Sequence, residues 1–232
     1  MESETILLLG ATGGSGLAFI EEALNLPKPP HLVLYVRTPS KIPSDIAKNT
    51  NVSLVNGDLT DFDVLTSAMK VHSITTVISF LGAYVSFSAM LTRRTDTPIA
   101  DSFPTIIRAM EANGVKRILA LSTASYWVEE RDVATWTMSI CGTMPKLFVP
   151  QGDAEMVQIA KKVSESSADL DWTIFRVPHL TDGSADLPVW ADYIGPNHKG
   201  GLNLSRRSQA RWVLGEIQAR EWVRGSPFLG NC

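Results

Sequence analysis

Thr5-Ile6-Leu7-Leu8-Leu9-Gly10-Ala11-Thr12-Gly13-Gly14-Ser15-Gly16-Leu17 is the stretch on which the reading of this chain turns. Apolar residues run without alternation into Gly10, the pattern of a strand buried on both faces of a parallel sheet. Beyond the glycines, Leu17, Phe19, Ile20, Ala23 and Leu24 recur at helical spacing until Pro27, Pro29 and Pro30 end the run. Strand, glycine-rich turn and helix in that order are the context in which such a turn cradles phosphate. Gly10 permits the tight turn, Gly13 lets backbone approach a pyrophosphate, and Gly16 lets the helix pack close to the sheet. The helix N-terminus adds free N–H groups and the positive end of its dipole. Thr12, Gly14, Ser15 and Leu17 complete the expected phosphate-facing set. The spacing is G-x-x-G-x-x-G rather than G-x-G-x-x-G, and the competing reading is a tight connection with no ligand.

Outward from this turn the chain alternates strand and helix. Strands are predicted at His31 to Val36, Val52 to Val55, Ile74 to Phe80, Val115 to Leu121 and Trp172 to Val177, the last ended by Pro178. Helices are predicted from Asp61 to Lys70, from Ile99 to Asn113 with Gly114 as the stop, and from about Gly152 to Ser166. A last helix, capped by Ser205, is expected to run through Trp212, Val213 and Ile217 to Trp222. The expected fold class is therefore α/β: a Rossmann-type, doubly wound parallel sheet with helices on both faces. The apolar segment 125–150, with Trp127, Trp136, Met138, Cys141, Met144 and Phe148, breaks the pattern and reads as an insertion packed over the sheet's edge and covering substrate.

At 232 residues the chain fits one NAD(P)-binding domain, 1–232, with a helical C-terminal portion. Its 21 basic against 24 acidic residues leave no excess to neutralise a phosphate backbone, which disfavours a dedicated nucleic-acid binder. Cys141 and Cys232 stand too far apart in sequence for a zinc motif and make no disulfide framework. No signal peptide or long apolar span is evident. The expected setting is the cytoplasm and the expected partner a small-molecule substrate, without nucleic acid, membrane or metal; a homodimer is left open.

The residues after the second strand select the cofactor. An NAD site wants a carboxylate about 20 positions past the glycines, for the ribose 2′-hydroxyl. Here Arg37-Thr38-Pro39-Ser40-Lys41 follows, with no acid until Asp45. Arg37 offers a planar fork to a 2′-phosphate, and Ser40 and Lys41 can add to it, unless Arg37 is simply a solvated strand end. NADP(H) is favoured. Asp58 and Leu59, after the third strand, are placed to bracket an adenine. Ser79, Phe80, Leu81 and Gly82, after the fourth, are placed to lie along the central ribose. In an open parallel sheet these strand ends share one ligand-binding edge.

The chain resembles the atypical branch of the short-chain dehydrogenase/reductase superfamily, the NAD(P)H-binding, NmrA-like proteins. The resemblance rests on Gly10 to Gly16, Val36-Arg37, Gly57-Asp58-Leu59, Leu121-Ser122-Thr123-Ala124-Ser125, Leu170 to Pro178 and Ser205-Arg206-Arg207. It implies an NADP(H) site that also includes Ser122, Thr123 and Pro178, with a carbonyl, enone or imine as hydride acceptor. Classical members pair their serine with a tyrosine and a lysine four residues later. The four tyrosines here, Tyr35, Tyr84, Tyr126 and Tyr193, are followed at that distance by Pro39, Ser88, Glu130 and Asn197. Ser122 matches the serine, either as a donor to substrate oxygen or as a strand-end hydroxyl satisfied by backbone. Tyr126 could reach the same oxygen or pack beside Trp127, and His179 could donate a proton near neutral pH or be structural. Arg176 reads as a buried arginine paired with backbone, and His31, His72 and His198 as surface or loop residues.

The sequence holds no G-x-S-x-G elbow, no P-loop and no H-E-x-x-H helix, which disfavours hydrolase, kinase and metalloprotease chemistry. The favoured function is an NADP(H)-dependent oxidoreductase acting on a small apolar molecule. The alternative is a redox-sensing regulator, or a non-redox isomerase or cyclase, on the same fold.

Overall fold

The computed structural model describes residues 4–82, 96–134, 150–166 and 169–232. Tyr84 and the Trp136, Met138, Cys141, Met144 and Phe148 portion of the expected insertion lie outside these residues. The first strand, β1 (Thr5–Leu9), passes through the glycine turn into α1 (Gly14–Leu24). Then come β2 (His31–Val36), a 3₁₀ turn at Pro39–Lys41, α2 (Ser44–Ala47), β3 (Val52–Asn56), α3 (Phe62–Val71) and β4 (Thr76–Ser79). A 3₁₀ turn, Ala100–Ser102, leads into α4 (Phe103–Ala112) and β5 (Arg117–Thr123); α5 (Pro150–Ser164) precedes β6 (Asp171–Val177). The remainder is β7 (His179–Thr181), β8 (Val189–Asp192), β9 (Asn203–Ser205), α6 (Arg206–Ala219) and β10 (Phe228–Asn231).

Among the described residues, eight strands form one sheet in the order β3-β2-β1-β4-β5-β6-β10-β8, while β7 pairs with β9 separately. The chain starts in the middle at β1, winds outward to β3, then crosses to β4 and onward. Strands from β3 to β10 are parallel, and β8 closes the edge antiparallel to β10. This is the expected doubly wound, Rossmann-like sheet. Residues on β1, β2, β4 and β5 are almost wholly buried, which accounts for the apolar residues that dominate them without alternation. Asp61 caps α3 by accepting from Val64 N, and Gly114 ends the turn after α4 at φ +67°. No helix among the described residues is long and apolar enough to cross a membrane.

Some local expectations change. The last helix ends at Ala219, where Arg220 adopts a left-handed conformation (φ 53°), rather than reaching Trp222. Ser205 stands at its N-terminus, yet its hydroxyl makes no cap bond and is buried without a partner. His31, at the start of β2 as predicted, is half-buried there rather than a free surface residue, with its Nε2 2.9 Å from Ser53 Oγ. Burial, helped by the neighbouring His72, lowers its pKa. Arg176 is fully buried as expected and donates to the Ser226 and Tyr126 carbonyls. It also grips Asp132 with both terminal nitrogens, and Asp132 in turn accepts from Ile194 N. That knot ties the segment after β5 to β6 and to the chain leading out of β8.

Candidate functional site

Because β1 to β6 run in one direction, their C-terminal ends open onto one edge, and the predicted strand-end residues converge there. At its centre Gly10 takes φ +80°, and Gly13 N donates to Gly10 O at 3.1 Å, closing the turn. A Cβ at Gly10 would stand 2.8 Å from the Phe80 carbonyl carbon, so β4 leaves room here for glycine alone. A Cβ at Gly16 would run into Gly10 O; Gly16 is what lets α1 start so close to the sheet. Gly13 is the helix N-cap and offers no side-chain cap, and the first turn of α1 holds no acidic residue. The first N–H groups of α1 therefore have no intrahelical acceptor and no side-chain anion. Gly14 is exposed and Thr12 and Gly13 half-exposed along this face, whereas Ser15 and Gly16 are buried and Leu17 packs on the core. These features fit a pyrophosphate approaching along backbone.

At the end of β2, Arg37 is exposed, with Ser40 and Lys41 exposed on the following 3₁₀ turn. Asp58 stands near enough for Arg37 to add to the lowering of its pKa. The larger causes are the Thr60 hydroxyl and N–H, which donate to Asp58 Oδ1 at 2.7 and 3.0 Å. One carboxylate oxygen is thus turned into its own loop. Beneath this loop Tyr35 donates its hydroxyl to Asp58 O (2.8 Å) and fills the space that a Cβ at Gly57 would need. Tyr35 was not among the expected site residues; nothing in a strand-interior tyrosine signals that its hydroxyl supports the neighbouring strand's loop.

Toward the other end the expectations divide. Ser79 is fully buried, its Oγ accepting from Leu81 N, and the Phe80 ring is turned into the core against Phe19 and Phe175. Only the backbone at Phe80, with Leu81 and Gly82, borders the edge, and Met156 Sδ of α5 stands against Gly82. Ser122 is corrected as a donor to substrate: it is fully buried and its hydroxyl donates to Met156 O at 2.9 Å. Alternation along β5 puts Thr123 on the opposite face from Ser122. Among the described residues, Thr123 Oγ1 and, just past the strand, Ser125 Oγ are buried with no hydrogen-bond partner. The Tyr126 hydroxyl donates to Ser164 Oγ (3.0 Å), and its carbonyl receives Arg176, so Tyr126 joins α5 to β6. Pro178 is half-buried at the end of β6; His179 is exposed on β7, its Nδ1 3.3 Å from Asn203 Oδ1. Glu155, one turn into α5, accepts from Ile99 N and Ala100 N, and burial raises its pKa despite those bonds. It anchors α5 against the 3₁₀ turn that leads into α4.

The NAD(P)H-binding family model matches residues 10–220, from the first glycine of the turn to the end of α6. No curated protein matches the chain. Among solved structures, a short-chain dehydrogenase/reductase from Veillonella parvula, in complex with NADP, superposes with a TM-score of 0.76 at 17% identity, covering 98% of this chain and 94% of that one. An anaerobillin reductase from Escherichia coli O157:H7 superposes at 0.72 with 20% identity, covering 98% and 97%. An oxidoreductase from Lactococcus lactis gives 0.68 at 15%, covering 98% and 91%. At such identities the likeness is one of fold, while the family match spans the glycine turn and every strand end described above. The chain belongs to the NAD(P)H-binding family and carries the fold of the short-chain dehydrogenases and reductases.

Proposed function

We propose that this protein is an NADP(H)-dependent oxidoreductase that transfers hydride to a small apolar carbonyl, enone or imine, or forms one by taking hydride from the corresponding alcohol, saturated carbonyl compound or amine. The cofactor supplies or accepts the hydride. The glycine turn and the first turn of α1 bind and orient the pyrophosphate, and Arg37, with Ser40 and Lys41, takes the 2′-phosphate. The Veillonella parvula structure, which holds NADP, supports the choice of phosphate. The observation that carries the reading is the pair of unpartnered hydroxyls, Thr123 Oγ1 and Ser125 Oγ, at the end of β5. A buried hydroxyl without a partner costs about 1–3 kcal/mol, a cost that a substrate oxygen arriving at the site would relieve. Thr123 therefore takes the donor role expected of Ser122.

Binding without turnover is the second reading, favoured by one specific observation: the hydroxyls of Ser122 and Tyr126 are both engaged within the fold. Incubating the protein with NADPH and a panel of quinones, enones and imines, while following the nicotinamide absorbance, separates the two. Oxidation with at least one acceptor is expected. With that acceptor, Thr123→Val should lower turnover roughly 10²–10³-fold, as for a lost oriented donor. Tight NADPH binding with no oxidation by any acceptor would favour the second reading.

A further inference from the structure

Three arginines begin α6, and their surroundings differ. Arg207 and Arg211 both bind the buried carboxylate of Glu22 on α1, at 2.7 Å each, and Arg211 also meets Asp186. Arg206 instead turns toward the glycine turn: its Nε lies 3.1 Å, and its Cδ 3.3 Å, from the position a Cβ on Gly14 would take. Gly14 is the first residue of α1, so this guanidinium stands at the positive end of that helix. It also stands at the positive end of its own helix, of which it is the first residue. Neither helix has an acidic residue in its first turn. The carboxylate on Arg206 is Asp182, at 2.6 Å, whose side chain is 90% exposed while that of Arg206 is 27% exposed. A cation brought against two helix N-termini, with a solvated carboxylate at its side, is disfavoured in the free protein. A conflict of that kind is expected where an anion completes the arrangement.

We propose that Arg206 is a cofactor-binding residue that holds the dinucleotide pyrophosphate together with the backbone N–H groups of α1. The proposal rests on the cofactor reading above and extends it to a residue of the C-terminal helix, so that β1–α1 and α6 close on the phosphates together. Arg206 has a role distinct from that of Arg37: the pyrophosphate is common to NADPH and NADH, whereas the 2′-phosphate belongs to NADPH alone.

Calorimetric titration of NADPH and NADH into the wild type and Arg206→Gln tests it, with the fold of each checked by circular dichroism. Arg206→Gln should weaken both cofactors by one common factor, about ten- to a hundredfold for a lost charge-assisted contact, leaving their ratio unchanged. Arg206→Lys keeps the charge without the fork and should lose less; it carries the test if the glutamine variant does not fold. Wild-type affinity for both cofactors in a folded Arg206→Gln protein would overturn the proposal and leave the cofactor reading standing. Weakening confined to NADPH would overturn it as well, by assigning Arg206 to the 2′-phosphate. A wild type that binds neither cofactor would remove the cofactor reading and the proposal together.

Discussion

Tyr35 shows how much of the loop after β3 depends on one hydroxyl. Its ring is buried in β2, and its O–H supports the Gly57–Asp58 loop by donating to the Asp58 carbonyl. Burial, with Asp61 and Asp58 nearby, pushes its pKa from 10.0 up to about 12. A phenol whose pKa is higher folded than unfolded contributes stability that is fully present below about pH 10 and is lost as the pH rises toward 12. Urea melts at pH 8 and at pH 11 should therefore show a steeper alkaline loss for the wild type than for Tyr35→Phe. Equal losses would mean that the phenol does not govern that window. At pH 8 the same variant should be less stable by about 0.5–1.5 kcal/mol, the net value of one hydrogen bond. Ser122 carries a parallel lesson. By its match to the family's serine it reads either as a donor to substrate or as a strand-end hydroxyl satisfied by backbone, and the structure shows the second, with a carbonyl 34 residues away on α5 as its partner. No local pattern announces a contact of that range, and the adjacent Thr123 is left with the unpartnered hydroxyl.

At the scale of elements, Arg176 and Asp132 hold the segment after β5 in place. Both side chains are fully buried and meet through two nitrogen–oxygen contacts, with Tyr126 O, Ser226 O and Ile194 N completing the knot. Asp132→Ala would leave a buried guanidinium without its counter-charge, a change that typically costs about 3–5 kcal/mol. Chemical denaturation should show a loss of that size; a loss below about 1 kcal/mol would mean that the segment relaxes and lets water in. Which elements the sequence reveals follows from burial. Strands β1, β2 and β5 are covered on both faces and read as continuous apolar runs, so their positions are legible within a residue or two. In contrast, β7 and β8 are three and four residues long and half-buried or exposed, β9 is three residues with one large apolar side chain, and β10 is Phe228-Leu229-Gly230-Asn231, with only two large apolar side chains. Such short segments acquire strand character from the neighbours they pair with rather than from their own pattern. The glycine turn was legible because its chemistry is local. Arg206 was visible only as part of a resemblance, since its approach to Gly14 depends on how α6 packs along α1.

For the whole molecule, the candidate site is a property of the sheet's C-terminal edge, and the proposed contacts come from segments spread from Gly10 to Arg206. A ligand bound there contacts parts of the chain that otherwise meet only through the core, so its binding energy adds to the stability of the entire unit. At a free concentration of about one hundred times Kd, a ligand that binds only the folded state adds about 2.7 kcal/mol. For a chain of this size that corresponds to a rise in Tm of roughly 5–10 °C. Saturating NADPH should produce such a shift in a thermal melt. NADH at the same concentration should produce less if Arg37 holds the 2′-phosphate, and Arg37→Ala should shrink the NADPH shift toward that of NADH. The pyrophosphate contacts behave differently, since both dinucleotides share them: Gly13→Val, which places a branched side chain where backbone must approach phosphate, should abolish both shifts. A folded Gly13→Val protein whose Tm still rises with NADPH would show that the turn shapes the fold without holding the cofactor. Equal wild-type shifts for NADPH and NADH would remove Arg37 from the recognition of the 2′-phosphate.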